Sequence, residues 1–191
     1  MATIHVLDET TINKIAAGEV VERPASVIKE LIENSIDASA TNIEVEIGDG
    51  GVAYMRITDN GIGMTEEDAR LAILRHATSK IQHVEDLFDI ASLGFRGEAL
   101  ASIASVSHFS LTTRKANFNL GTRIIVDGGT FTDCIPYGAA PGTTIEIRDL
   151  FYNTPARRKF LKTERTESSK IQDIVGKLAL SNPHITFKLI V

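Results

Sequence analysis

Hydrophobic and polar positions follow a helical period over residues 24–38, so the sequence predicts an amphipathic helix there. At about 100° per residue, one side of this helix collects the aliphatic residues Ile28, Leu31, Ile32 and Ile36. Glu30, Asn34 and Asp37 fall on the opposite side. Pro24 suits the first turn, where a missing N–H leaves no hydrogen bond unmade. We therefore expect one face of the helix to pack and the other to present two carboxylates and an amide.

Other helices are predicted from caps and from the spacing of apolar residues. Thr65 with Asp68 resembles a capping box, and Thr154 precedes a proline as the cap of a short basic helix. The last helix has a core stripe at spacings i, i+3, i+4, i+7 and i+8, made by Ile171, Ile174, Val175, Leu178 and Ala179. Shorter helices are expected over 12–20 and 99–103.

Alternating apolar and polar residues predict a set of strands between these helices. The predicted strands are 42–47, 52–58, 106–113, 122–126, 130–135, 143–148 and one that begins at 184. Glycine-rich turns at 48–51 and 127–129 join neighbouring strands as hairpins. This arrangement predicts an α+β fold, a two-layer α/β sandwich with a mixed, mostly antiparallel sheet.

Composition excludes several classes of protein. The 191 residues are 43% hydrophobic and 24% charged, as in ordinary globular domains. No apolar run approaches the ~20 residues of a membrane-spanning helix, and the first residues lack a secretory signal pattern. We therefore expect a cytoplasmic protein with no membrane partner. A single cysteine and scattered histidines argue against a disulfide framework and a zinc site.

Charge limits how the chain meets nucleic acid. The net charge is −5, so bulk electrostatics does not attract DNA, and any contact with DNA must be local. One basic cluster, 157–159 with Lys162 and Arg165, can serve such a contact. Surface helices often carry similar runs of charge, so a solvated basic face is the alternative interpretation.

The polar face of the first helix has the chemistry of a hydrolytic site. Glu30 and Asn34 are an i, i+4 pair, so one side chain can orient a water molecule while the other ligates a hard cation such as Mg²⁺. Asp37 lies on the same face. A polar helix face exposed to solvent is the alternative for this group taken alone.

A second candidate follows the strand 52–58, where Asp59 precedes Gly61 and Gly63. A carboxylate at a strand end can accept a hydrogen bond from the amino group of a purine, and glycines let the backbone approach a flat ligand. The alternative is an ordinary Asp-Asn-Gly turn.

A third candidate lies at the end of a long stretch with little helical or strand pattern, 75–97, which is typical of a lid or binding loop. Glycines then precede a helix, and exposed N–H groups at a helix start attract phosphate. The residues that would contact the phosphates are Gly94, Phe95, Arg96, Gly97, Glu98, Ala99 and Leu100. The Walker A pattern occurs nowhere in the chain.

The order of these motifs resembles a known nucleotide site. Glu30 with Asn34 and Asp37, then 59–63, then 94–100, then 142–143 is similar to the four-motif site shared by gyrase B, the ATP-dependent heat-shock chaperone, histidine kinases and MutL. Segments 15–21, 77–80, 94–100 and 151–161 resemble the MutL mismatch-repair family in particular. The resemblance covers essentially the whole chain and implies a Bergerat-type ATP-binding fold.

Roles for individual residues follow from the resemblance. It implies that Glu30 is the general base, that Asn34 ligates Mg²⁺, and that Asp59 binds the adenine amino group with support from Thr143. Further nucleotide-binding residues implied by it are Asp37, Gly61, Gly63, Thr78, Ser79, Lys80 and the phosphate residues 94–100. For Asp37, the alternative is a supporting charge beside the site. Residues 75–97 would form a lid that orders around ATP, and 15–21 would reach the partner subunit of an ATP-dependent homodimer.

The resemblance also implies a function for the whole protein. We expect a Mg²⁺-dependent ATPase that couples mismatch recognition by a MutS-type protein, and contact with DNA, to later repair steps. Residues 1–191 would be one N-terminal ATP-binding domain, followed by a transducer-type domain that supplies a lysine to the γ-phosphate, so hydrolysis by this part alone would be weak. The alternatives are a nucleotide-binding scaffold without significant hydrolysis and another ATPase of the same superfamily.

Overall fold

The computed structural model describes residues 18, 20–74 and 97–191. Within these ranges the helices are α1 (Pro24–Asp37), α2 (Glu66–Ala72), α3 (Ala99–Ala104), α4 (Pro155–Phe160) and α5 (Glu164–Ser181). The strands are β1 (Asn42–Gly48), β2 (Tyr54–Asp59), β3 (His108–Arg114), β4 (Gly121–Asp127), β5 (Thr130–Tyr137), β6 (Gly142–Arg148) and β7 (Thr186–Ile190).

Seven strands form one sheet in the order β5-β4-β3-β6-β2-β1-β7. Only the pair β1 and β7 is parallel, and every other pair among the described strands is antiparallel. The predicted α+β class, with a mixed and mostly antiparallel sheet, is therefore confirmed. Strand β6 inserts between β2 and β3, so residues far apart in sequence share one transverse row. In that row Asp59 is opposite Thr143, and Thr143 is opposite Thr113.

The core lies between the helices and one face of the sheet, which gives two layers. Helix α1 buries Ile28, Leu31 and Ile32, as its periodicity predicted. The inner face of the sheet contributes a row of buried aliphatic residues from five neighbouring strands, Val45, Ile57, Ile145, Leu111 and Ile124. The opposite face is polar and carries cross-strand ion pairs such as Arg56 with Glu46 and Lys188 with Glu44.

Local signals located most helix starts correctly. Pro24 occupies the first turn of α1, and the side chains and backbones of Thr65 and Asp68 bond reciprocally as a capping box at the start of α2. Thr154 is the N-cap residue of α4, as predicted, but its side chain makes no capping hydrogen bond. Its ψ of 67° lies outside the extended region that an N-cap residue normally adopts. The start of α4 relies on Pro155 instead.

Three strands begin later than predicted, β2, β3 and β7, the last at Thr186 rather than at 184. A 3₁₀ turn at Asp49–Gly51 delays β2 until Tyr54, and its backbone takes positive φ at all three positions. Strand β3 begins at His108 because the N–H of Val106 still bonds the carbonyl of Ile103 in α3. The predicted helix 12–20 falls mostly outside the described residues, as does the proposed lid.

Candidate functional site

Asp59 is the centre of a hydrogen-bonded cluster at the end of β2. Its Oδ1 atom accepts hydrogen bonds from the backbone N–H of Gly61 at 2.9 Å and from that of Thr143 at 3.2 Å. Its Oδ2 atom accepts one from the hydroxyl of Ser35 at 2.9 Å. Burial raises the pKa of Asp59, and these three hydrogen bonds oppose that rise because they favour the carboxylate. The carboxylate is thus fixed in place and keeps one acceptor direction on Oδ2.

Ser35 is a site residue that sequence reasoning missed. It lies on α1 and is 4% exposed. Its hydroxyl is also 3.1 Å from the carbonyl oxygen of Leu31. One hydroxyl proton cannot serve both acceptors, and the charged, closer Asp59 is the stronger of the two. A serine within the buried half of an otherwise aliphatic helix was the signal available in the sequence, because such a hydroxyl needs a partner.

The pairing of β6 with β2 places Thr143 next to Asp59. The two residues are opposite each other on β6 and β2, although 84 positions separate them in sequence. The hydroxyl of Thr143 is 3.0 Å from that of Thr113 on the next strand. The register therefore brings Thr143 to Asp59, and its support of Asp59 in binding adenine stays a prediction. Thr113 was not predicted.

Gly61 and Gly63 are required by packing of the protein against itself. A methyl group at Gly61 would lie 2.6 Å from the carbonyl oxygen of Ala38. At Gly63 it would lie 2.1 Å from the carbonyl oxygen of Arg114, and φ there is +63°, a conformation that side chains disfavour. These contacts draw the turn after Asp59 onto the end of α1 and onto β3. The approach of a base to these glycines remains a prediction.

The polar face of α1 is adjacent to this cluster. The carbonyl oxygen of Ala38, at the end of α1, accepts a hydrogen bond from the N–H of Ile62 at 2.9 Å, so the helix end and the turn after Asp59 are joined. Asn34 is half-buried and Asp37 is exposed. The side chain of Glu30 is 26% exposed, with one carboxylate oxygen 3.8 Å from the ammonium of Lys29. The predicted division of α1 into a packed and a polar face is confirmed.

A cation at this site would depend on few protein ligands. Among the described residues, no group of three or more His, Cys, Asp or Glu side chains is arranged to hold a metal ion. Mg²⁺ commonly takes only one or two protein oxygens and completes its shell with water and substrate phosphates. The amide oxygen of Asn34 suits that mode of binding, so the residues present fit Mg²⁺ brought in with a nucleotide.

The third candidate segment is described only in part. Gly97 has φ of +60°, and Glu98, Ala99 and Leu100 form the start of α3. The side chain of Glu98 makes no capping bond there, so it leaves the first N–H groups of the helix to other partners. The predicted binding residues that lie outside the described ranges are Thr78, Ser79, Lys80, Gly94, Phe95 and Arg96.

The basic cluster on α4 divides into two parts. The guanidinium of Arg157 packs so closely on Gly18 that a methyl group there would lie 2.1 Å from its Nη2 atom. Burial lowers the pKa of Arg157. Arg158 and Lys159 are exposed. Of the three predicted contact residues, Arg157 therefore has a structural position, and the other two are available to a partner.

Together, the layered fold and the fixed carboxylate beside a polar helix face define a nucleotide-binding domain. A family model described as "Histidine kinase-, DNA gyrase B-, and HSP90-like ATPase" matches residues 22–125. The chain belongs to this ATPase family, and within it to the MutL-type mismatch repair ATPase domains.

Curated relatives carry the MutL name. A DNA mismatch repair protein MutL of Caldanaerobacter subterraneus subsp. tengcongensis is 58% identical over 190 residues, which is 100% of this chain and 32% of the relative. One from Xylella fastidiosa is 55% identical over 97% of this chain and 30% of the relative. The chain thus spans about a third of the length of these relatives.

Solved structures agree with the family. The Aquifex aeolicus MutL ATPase domain complexed with ADP matches with a TM-score of 0.70 and 39% identity, covering 90% of this chain and 60% of that one. The N-terminal domain of a DNA repair protein matches with a TM-score of 0.78 and 30% identity, covering 93% of this chain and 51% of that one. Within the described ranges, no helix has the length and apolar content needed to cross a membrane.

Proposed function

We propose that this chain binds ATP with Mg²⁺ and hydrolyses it to ADP and phosphate, as part of a MutL-type mismatch repair protein. The observation that carries the proposal is Asp59, a largely buried carboxylate with three hydrogen bonds and one remaining acceptor direction. A buried anion is costly unless its acceptor sites are used. The amino group of adenine supplies the missing donor. The related Aquifex aeolicus domain was solved with ADP, which supports a nucleotide as the ligand.

The polar face of α1 and the start of α3 serve the phosphates in this proposal. Asn34 would hold Mg²⁺ through its amide oxygen, Asp37 would assist from the same face, and the N–H groups at 97–100 would contact phosphate oxygens. Bound Mg²⁺ neutralises phosphate charge and makes the terminal phosphorus easier to attack. The segments 78–80 and 94–96 complete the phosphate contacts, as the resemblance to MutL implies.

Glu30 acts on the attacking water. Its carboxylate is partly exposed and one helical turn from Asn34, so it can accept a proton from a water molecule held beside the terminal phosphate. Lys29 lies closer to Glu33 than to Glu30, at 2.8 Å against 3.8 Å between the ammonium and carboxylate atoms. The stronger ion pair of Lys29 is therefore the one with Glu33.

The nucleotide state is proposed to control assembly. Residues 75–97 order over bound ATP as a lid, and 15–21 contact the partner subunit of an ATP-dependent homodimer. Arg158 and Lys159 provide local contact with DNA, and a MutS-type protein reports the mismatch. A cytoplasmic location is consistent with this role. A lysine from a following domain would complete the γ-phosphate site, so hydrolysis by residues 1–191 alone should be weak.

The second candidate function is a nucleotide-binding scaffold that does not hydrolyse ATP. Glu30 argues against it, because a protein that only binds the nucleotide needs no carboxylate beside the cation ligand.

Calorimetric titration with a non-hydrolysable ATP analogue, with and without Mg²⁺, tests the proposal. The Asp59→Ala variant should lose binding, since it removes the acceptor for the base. Asp173→Ala, an exposed change on α5, is the matched control and should bind like the natural chain. Equal affinity in the Asp59→Ala and natural chains would remove Asp59 from the site. Unchanged affinity for the analogue without Mg²⁺ would exclude Mg²⁺ from the proposed site.

A further inference from the structure

Thr113 on β3 is fully buried, with 0% exposure, and its hydroxyl oxygen has three close partners. It accepts a hydrogen bond from the N–H of Met64 at 2.9 Å. It lies 3.1 Å from the carbonyl oxygen of Gly142 and 3.0 Å from the hydroxyl oxygen of Thr143. This one side chain therefore connects the turn after Asp59 with the start of β6.

One arrangement of protons makes all three of these hydrogen bonds at once. In it Thr113 donates its single proton to the carbonyl of Gly142, because a carbonyl can only accept. The N–H of Met64 can only donate, so it occupies one lone pair of the Thr113 oxygen. The remaining bond, between the two threonine hydroxyls, must then be donated by Thr143. The hydroxyl proton of Thr143 is thus held on Thr113, and its oxygen can only accept from a ligand.

Asp59, like the Thr143 hydroxyl, can only accept hydrogen bonds from a ligand. Its Oδ1 atom already accepts from the N–H groups of Gly61 and Thr143, and its Oδ2 atom accepts from Ser35. What remains toward a ligand is an acceptor direction on Oδ2. Asp59 and the neighbouring Thr143 hydroxyl therefore offer acceptors side by side and no donor.

We propose that Thr113 is a positioning residue that, through Thr143, makes the nucleotide site select a 6-aminopurine over a 6-oxopurine base. The inference rests on the proposed binding of ATP at Asp59. A 6-amino group donates to these acceptors. A 6-oxo group is itself an acceptor, so it would leave the acceptors of the site unpaired. A site whose buried polar groups are left unpaired rejects such an analogue strongly. The hydroxyl of Thr143 could donate to a 6-oxo group only if its hydrogen bond to Thr113 were broken.

Affinities for ATP and inosine triphosphate, which has a 6-oxo group, test the inference. The natural chain should prefer ATP by at least about a hundredfold. In Thr113→Val the freed hydroxyl of Thr143 can donate to the 6-oxo group, so the preference should fall by about tenfold or more. Thr113→Ser keeps a hydroxyl and should keep the preference. Thr112→Val, on the opposite face of the same strand, is the control and should also keep it.

The double variant Thr113→Val with Thr143→Val separates positioning from general loosening of the site. It lacks the freed hydroxyl, so the preference for ATP over inosine triphosphate should return. A purely structural role for Thr113 would weaken both nucleotides equally and leave their ratio unchanged in Thr113→Val, which would overturn the inference.

The natural chain alone can also overturn it. Equal affinity for the two nucleotides would contradict the inference even if Thr113→Val does not fold. Failure of the natural chain to bind ATP would instead contradict the proposed function, so the two failures are distinguishable.

Discussion

The hydroxyl oxygen of Ser35 lies 2.9 Å from Oδ2 of Asp59 and joins the middle of α1 to the end of β2. Burial raises the pKa of Asp59 above its ordinary value of 3.8, and the Ser35 hydrogen bond works against that rise. When Asp59 is protonated, its O–H can donate a hydrogen bond to the Ser35 oxygen, and the Ser35 hydroxyl can then donate to the carbonyl of Leu31. The cluster therefore has two hydrogen-bonding patterns, and only the ionised one presents an acceptor to a base.

Asp59→Asn should abolish ATP binding without unfolding the protein. The amide oxygen can accept from Gly61 and Thr143, and the amide nitrogen can donate to Ser35, so the internal hydrogen bonds survive. The second amide proton faces the base and repels its amino group. Calorimetric titration and thermal unfolding should show lost affinity with an unchanged or raised melting temperature.

The pH dependence of stability gives this variant a second test. The raised folded-state pKa means that Asp59 contributes stability that is fully present below pH 3.8 and is lost as pH rises through its folded-state pKa. Asparagine does not titrate. As pH rises through that window, the free energy of unfolding of Asp59→Asn should therefore increase relative to that of the natural chain. A difference between the two that does not change with pH would contradict the assigned shift. Asp173→Asn serves as the exposed control.

Glu30→Gln should separate hydrolysis from binding. The amide keeps the size of the side chain but cannot take a proton from water, so phosphate release by the full-length protein should fall by about a hundredfold or more. Affinity for a non-hydrolysable analogue should stay within about threefold, because Glu30 is not assigned to ground-state binding. Glu22→Gln, an exposed change before α1, should leave both quantities unchanged. Equal loss of binding and turnover in Glu30→Gln would contradict the role of general base.

Gly63→Ala should destabilise the turn after Asp59. The added methyl group would lie 2.1 Å from the backbone oxygen of Arg114, at a φ of +63°, so we expect a loss of about 2 kcal/mol or more in the free energy of unfolding. Gly176 in α5 has no heavy atom within 4 Å of an added methyl group. Gly176→Ala should therefore stabilise its helix by about 0.5–1 kcal/mol. Denaturant unfolding measures both changes. An unchanged free energy of unfolding in Gly63→Ala would contradict the packing of this turn on Arg114.

Reversing charge at Arg158 and Lys159 should weaken DNA binding. Both side chains are exposed on α4, and each phosphate contact contributes about 0.9 to the slope of log affinity against log salt for duplex DNA. Arg158→Glu with Lys159→Glu should therefore lower the affinity and reduce the slope by about two. Arg157→Ala should mainly lower the melting temperature, because Arg157 packs on Gly18. Unchanged affinity and slope in the double variant would leave only the solvated-face interpretation of this cluster.

The sequence by itself determined the elements that local forces define. The two faces of α1, the capping box at Thr65 and the β4–β5 hairpin follow from spacing, short-range hydrogen bonds and turn chemistry, which act over a few residues. It also located Asp59, since a carboxylate before two closely spaced glycines is a local pattern. The expected side-chain hydrogen bond of the N-cap residue Thr154 is missing because its backbone angles, which the residue type does not determine, are unsuitable.

Tertiary structure alone decided what surrounds Asp59. Thr143 reaches it because β6 pairs with β2, and Thr113 joins because β3 pairs with β6. The order of strands in a sheet depends on contacts across long stretches of chain, which no local period encodes. The same reason explains why Ser35 was missed and why Arg157 was grouped with its exposed neighbours. Their partners lie on other segments, and only the folded chain brings those segments together.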